Sequence, residues 1–128
     1  MASEFKQLGK VKKAELFRED REFLTMFVDI NFGNVTQGFG GLALDTYDDA
    51  RDRRIGTAMG LDFVMRLLDL FGVNKLDDIR GRYVYAVRDF ENCGPIIGLE
   101  LPEPDGGARF MLDEWREEWA KAAKETAR

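Results

Sequence analysis

Apolar and polar residues alternate most cleanly over residues 22–32. Leu24, Met26, Val28, Ile30 and Phe32 fall on one face, with Thr25, Asp29 and Asn31 on the other. That period of two is the mark of a half-buried strand. Residues 10–18 read as a second strand, with Leu16 and Phe17 as its apolar weight. The charged turn Glu19-Asp20-Arg21 joins the two into a hairpin. The glycine-rich run 33–41 predicts a loop, and Leu42-Ala43-Leu44 a short third strand. Residues 45–54 are polar and read as loop.

The period then changes to 3.6. Residues 57–71 predict the main helix, with Thr57 as N-cap and Gly72 as the glycine that ends it. Its apolar set covers most of the circumference. Asp62, Arg66 and Asp69 leave one narrow polar stripe, and Arg66 reads as the i, i+4 partner of Asp62. Such a helix is buried on several sides. Gly60 inside it points to close backbone packing, because glycine there costs about 1 kcal/mol against alanine.

Residues 76–79 predict one helical turn. Residues 83–90 predict a strand, Glu91-Asn92-Cys93-Gly94 a hairpin turn, and residues 96–101 the returning strand. Residues 102–107, with two prolines and two glycines, read as a linker. A terminal helix follows over residues 113–124, with Leu112, Trp115, Trp119 and Ala122 on one stripe. Acids fill its first turns and lysines its end, as the helix dipole favours. The predicted fold is a single α+β domain over residues 1–128. It has an antiparallel sheet of about five strands on a central helix, plus a C-terminal amphipathic helix.

Composition narrows function mostly by exclusion. The chain has 128 residues, of which 45% are apolar and 34% charged, as in ordinary globular domains. It has no His and one Cys. Catalytic triads built on His, His-ligated metals and intrachain disulfides are therefore excluded within one chain. The net charge of −5 argues against direct nucleic-acid binding. Residues 1–21 carry six basic and four acidic side chains, whereas residues 95–118 carry seven acids against Arg109 and Arg116. The acidic segment is either a solvated surface or one that meets a basic partner. The sequence around Met1 has no apolar signal core, and residues 58–73 are too charged to span a membrane, so a cytoplasmic protein is expected.

One run is distinctive: Gln37-Gly38-Phe39-Gly40-Gly41, Leu44-Asp45, then Arg54-Ile55-Gly56-Thr57-Ala58-Met59-Gly60. It continues through Phe63, Arg66-Leu67-Leu68, Gly72-Val73, Asp77 and Gly81-Arg82-Tyr83-Val84. This stretch, under half of the chain, resembles a family of small, mostly uncharacterised proteins encoded by bacteriophages. The resemblance implies a viral gene, a host bacterial cytoplasm and a role in virus–host conflict. It transfers no catalytic residue.

Several residue groups are candidate sites. Gly38, Phe39, Gly40 and Gly41 form either a ligand-approaching loop or a tight turn at a sheet edge. They match neither a dinucleotide fingerprint nor a phosphate-binding loop. Arg51, Arg53 and Arg54 with Thr57 precede a helix N-terminus and suit a phosphorylated ligand, unless the neighbouring aspartates neutralise them. Asp48, Asp49 and Asp52 offer at most a weak cation site. Cys93 has no base to activate it. Arg80, Arg82 and Arg88 with Tyr83 and Tyr85 would make a basic, aromatic sheet face, or a solvated edge. Trp115 and Trp119 either close the core or form a partner contact beside Glu114, Glu117 and Glu118.

The expectation is a non-enzymatic, phage-encoded interaction protein with no cofactor and no metal. Its partner would be a host protein or ribonucleoprotein, such as a CRISPR complex, with a homodimer also expected. The alternatives are a domain that sequesters a nucleotide-like signal through the arginine and glycine groups, and a virion or assembly component.

Overall fold

A computed structural model describes residues 4–20, 22–90, 94–103 and 107–126. The protein is α+β, as its sequence predicts. Eight strands run in the order β1 (Phe5–Glu19), β2 (Phe23–Asn31), β3 (Thr36–Gly40), β4 (Asp45–Asp48), β5 (Arg53–Gly56), β6 (Tyr83–Arg88), β7 (Gly98–Glu100) and β8 (Arg109–Met111). Helix α1 (Ala58–Phe71) follows β5, and helix α2 (Leu112–Thr126) follows β8. A single 3₁₀ turn, Leu76–Ile79, lies between α1 and β6. Six strands form one antiparallel sheet in the order β3-β2-β1-β6-β7-β8. The β4–β5 hairpin is a separate two-stranded sheet.

The alternation read in residues 22–32 is the core-facing pattern of β2. Met26, Val28 and Ile30 are fully buried. Antiparallel neighbours share a face, so Val11 opposite Ile30 and Phe39 opposite Val28 join them in the core. Strand β1 is the long spine of the sheet. Its first part, Phe5 to Lys10, pairs with β6, and its part from Lys10 to Glu19 pairs with β2, with an irregularity between Val11 and Lys13.

The sheet curls enough for side chains of its two edge strands to meet in the core. Phe39 on β3 and Phe110 on β8 lie with ring centroids 6.2 Å apart, edge to face. The buried guanidinium of Arg88 on β6 reaches Gln7 on β1 at 2.8 Å and also bonds Gln37 on β3. Helix α1 packs Phe63, Leu67 and Phe71 into the enclosed core. Both caps act as predicted. The Thr57 hydroxyl accepts the Gly60 N–H at 2.9 Å. Gly72 takes the left-handed conformation (φ 65°) that closes the helix. Gly60 is required by contact, since a Cβ there would lie 2.0 Å from the Leu44 carbonyl oxygen.

Three sequence expectations are corrected. The glycine-rich run is mostly strand β3, because its glycines make room for a neighbour rather than a turn. The Phe27 ring lies where side chains at Gly38 and Gly41 would be. Leu42–Leu44 is not a strand, although the Leu44 N–H donates to the Leu24 carbonyl at 2.8 Å. The polar segment 45–54 folds as β4 and the start of β5, with Asp45 and Arg54 bonded across it. Of the stretch read as linker, residues 104–106 lie outside the described residues, and it leads into β8, an added strand of the sheet. Residues 91–93 of the predicted hairpin turn lie outside the described residues, but β6 and β7 pair antiparallel as that turn requires.

Candidate functional site

Helix α2 carries the acidic and tryptophan residues singled out as partner-binding. The structure separates the two groups. Trp115 is 1% exposed and packs on Phe63 and Phe110 at 5.5 and 6.0 Å between centroids. Its indole N–H donates to Asp62 Oδ2 at 2.9 Å, and that of half-buried Trp119 donates to the same oxygen at 3.0 Å. Trp115 thus closes the core and is not presented to a partner. Glu114, Glu117 and Glu118 remain exposed. Arg66, expected to pair with Asp62, instead reaches Glu118 at 3.2 Å. The reason is that Asp62 is taken by the two indoles.

The residues proposed to hold an anion are not assembled into one pocket. Phe39 is 1% exposed, in the core rather than at a surface. The guanidinium of Arg54 forms a two-point pair with Asp45, at 2.9 and 3.0 Å. This pairing, ahead of the Leu24 N–H, holds the Asp45 carboxyl below its ordinary range. Arg51 is bonded by Asp48, whose carboxyl is lowered first by the Arg51 backbone N–H and then by its side chain. Arg53 is exposed and reaches the Arg54 carbonyl at 3.4 Å. Thr57 uses its hydroxyl to cap α1 and to donate to the Leu44 carbonyl at 3.1 Å. The charge of this hairpin is mostly answered within it.

The arginines expected beside Tyr83 and Tyr85 point elsewhere. Arg82 bonds the Phe71 carbonyl at 3.0 Å, and Arg80 pairs with Asp77 at 2.9 Å. Lysines replace them: Lys10 sits over the Tyr83 ring at 5.8 Å and Lys6 over Tyr85 at 5.9 Å. Lys6 is in turn bonded to Glu100 at 2.8 Å, and Arg109 binds both Glu100 and Glu4. Among the described residues, no three His, Cys, Asp or Glu side chains gather to hold a metal.

Apolar side chains stay exposed on α1, whose pattern predicts burial on several sides, because only its Gly60, Phe63, Leu67 and Phe71 face is buried. A cleft of about 470 Å³ opens between the far end of the β1–β2 hairpin and the first turns of α1. Leu16, Leu24, Leu44, Leu61 and Val64 line it. Leu61 is 64% exposed and Leu16 46%, with Met65 (52%) one turn beyond Leu61 on the same helix face. An apolar lining with so little polar surface suits protein side chains rather than a charged metabolite.

This cleft borders an open strand edge. Strand β6 covers β1 only as far as Lys10, and the Val11 backbone bonds Gly81 and Arg82. Beyond that point, among the described residues, β1 from Lys12 to Glu19 has a strand neighbour only on the β2 side. Its other row of N–H and C=O groups is unpaired with any strand. Such a row is a template for another chain. No signal in the sequence marks it, because it depends on where β6 stops along β1.

Compared with protein-family models, curated proteins and solved structures, the chain matches none. Among the described residues, no helix is long and apolar enough to cross a membrane.

Proposed function

We propose that the protein works by association rather than by chemistry, as a non-enzymatic interaction protein. One observation carries this reading: the open edge of β1 beside the apolar cleft of Leu16, Leu24 and Leu61. A strand added to that edge gains main-chain hydrogen bonds, and its alternate side chains fill the cleft. A monomeric domain that left this surface uncovered would carry a standing aggregation risk. The resemblance to bacteriophage proteins supports a place in virus–host conflict within the bacterial cytoplasm. There the protein would inhibit a host defence assembly such as a CRISPR complex.

The test is native mass spectrometry of the protein after incubation with extract of the host bacterium. The expected result is a stoichiometric gain of protein mass that is lost in Leu16→Arg/Leu61→Arg. Both positions are exposed, so that variant should keep the wild-type thermal unfolding, which is checked alongside. A gain of a few hundred daltons instead, lost in Arg53→Ala/Arg54→Ala, would overturn the reading in favour of a sequestered ligand.

A further inference from the structure

We infer that a second copy of this chain pairs with the open edge of β1, antiparallel, about a two-fold axis at Leu16. The inference rests on the reading of that edge as a binding surface, which a second copy and a host strand would occupy in turn. Residues opposite one another in an antiparallel pair point to the same face. A two-fold axis normal to the sheet therefore passes through a residue that pairs with itself. The sequence Lys12-Lys13-Ala14-Glu15-Leu16-Phe17-Arg18-Glu19-Asp20 is basic at its start and acidic at its end. With Leu16 at the axis, Lys13 of each copy faces Glu19 of the other. Ala14 faces Arg18, and Glu15 faces Phe17. No like charges meet.

Neighbouring registers fit less well. With Glu15 at the axis, two glutamates meet and Lys12 faces Arg18. With Phe17 there, Glu15 faces Glu19. With Ala14 there, Phe17 would face Val11, whose backbone already bonds Gly81 and Arg82. Opposed like charges destabilise a strand pair and opposed unlike charges stabilise it, so charge and the reach of the open edge together select one register. That register also disposes of the apolar surface. Leu16 lies opposite core-facing Met26 and so points to the helix side of the sheet. Two copies of Leu16 then meet on the axis, next to the clefts that hold Leu61 in each copy. The product is one continuous sheet with the helices of both copies on the same side.

The experiment uses the purified full chain alone, by sedimentation equilibrium across the micromolar range. The expected mass is twice 14.6 kDa. Lys13→Glu and Glu19→Lys should each weaken the dimer about tenfold or more, and the double exchange should restore it, because the opposed pairs are then re-formed in reverse. In a Cys93→Ser background, Leu16→Cys should cross-link to itself under mild oxidation, since directly opposed strand residues lie within disulfide reach. Arg18→Cys should not. A dimer whose affinity the double exchange fails to restore would overturn the register. A monomer throughout would overturn the self-pairing. If Leu16→Arg/Leu61→Arg nevertheless lost a host partner, the functional reading would stand without it.

Discussion

The indole of Trp115 donates its N–H to the carboxylate of Asp62 at 2.9 Å, joining α2 to α1 in the core. Trp119 shares the same oxygen. Asp62→Ala leaves one buried and one half-buried indole without that acceptor. An unmet buried donor costs about 1–3 kcal/mol. We expect a loss of about 2 kcal/mol, or about 6–10 °C in Tm for a chain of this size. Asp62→Asn keeps a carbonyl oxygen and should lose less. Urea titration followed by tryptophan fluorescence measures both. An alanine variant as stable as the wild type would show that the shared carboxylate does not hold α2.

At Gly60, α1 packs directly against the backbone of Leu44. The glycine's missing side chain would collide with the Leu44 carbonyl, which is backbone and cannot swing aside. Gly60→Ala gains about 1 kcal/mol of helix propensity. The helix shift it forces should outweigh that gain, for a net loss of about 2 kcal/mol or more. Leu61→Ala, at an exposed neighbour, should change stability by no more than about 0.5 kcal/mol. Thermal unfolding distinguishes the two.

These contacts show what the sequence reveals and what it leaves out. Helix α1 is legible because its period, its Thr57 cap and its Gly72 terminus are all local signals. Strand β2 is legible because Met26, Val28 and Ile30 recur at every second position and form its fully buried core face. Strand β3 is misread because its glycines answer to Phe27, a residue on another strand. The β4–β5 hairpin is misread because charge resembles solvated loop until Arg54 is seen against Asp45. Asp62 pairs with partners more than 50 residues away, which no helical spacing rule contains. The open edge of β1 is invisible for the same reason. Leu16 is apparent as apolar weight, but its exposure depends on the length of β6.

Acid should weaken the fold through particular carboxylates. Asp45 is held below its ordinary value of 3.8 by Arg54 first and then by the Leu24 N–H. Glu100 is held below its ordinary 4.5 by Lys6 first and by Arg109. A carboxyl whose folded pKa lies below its unfolded pKa binds fewer protons in the native state. Its contribution is therefore complete above the unfolded pKa and is lost as pH falls through the folded one. Stability should be flat above about pH 5.5 and decline as pH falls below 4.5 and then 3.8. Asp45→Asn and Lys6→Met should each make that decline shallower, read as urea midpoints at successive pH values. An unchanged slope in both would mean that these pairs contribute nothing to folding.

The claim that β1 is the binding edge has one direct test, amide hydrogen exchange over residues 12–19. Amides that face β2 should be protected at every concentration, whereas those facing away should exchange fast in dilute protein. On association the fast set should become protected, with Leu16 near the centre of the protected stretch, while α2 stays unchanged. If the protein associates and those amides still exchange as freely as in dilute protein, the interface lies elsewhere and the account of the edge is wrong.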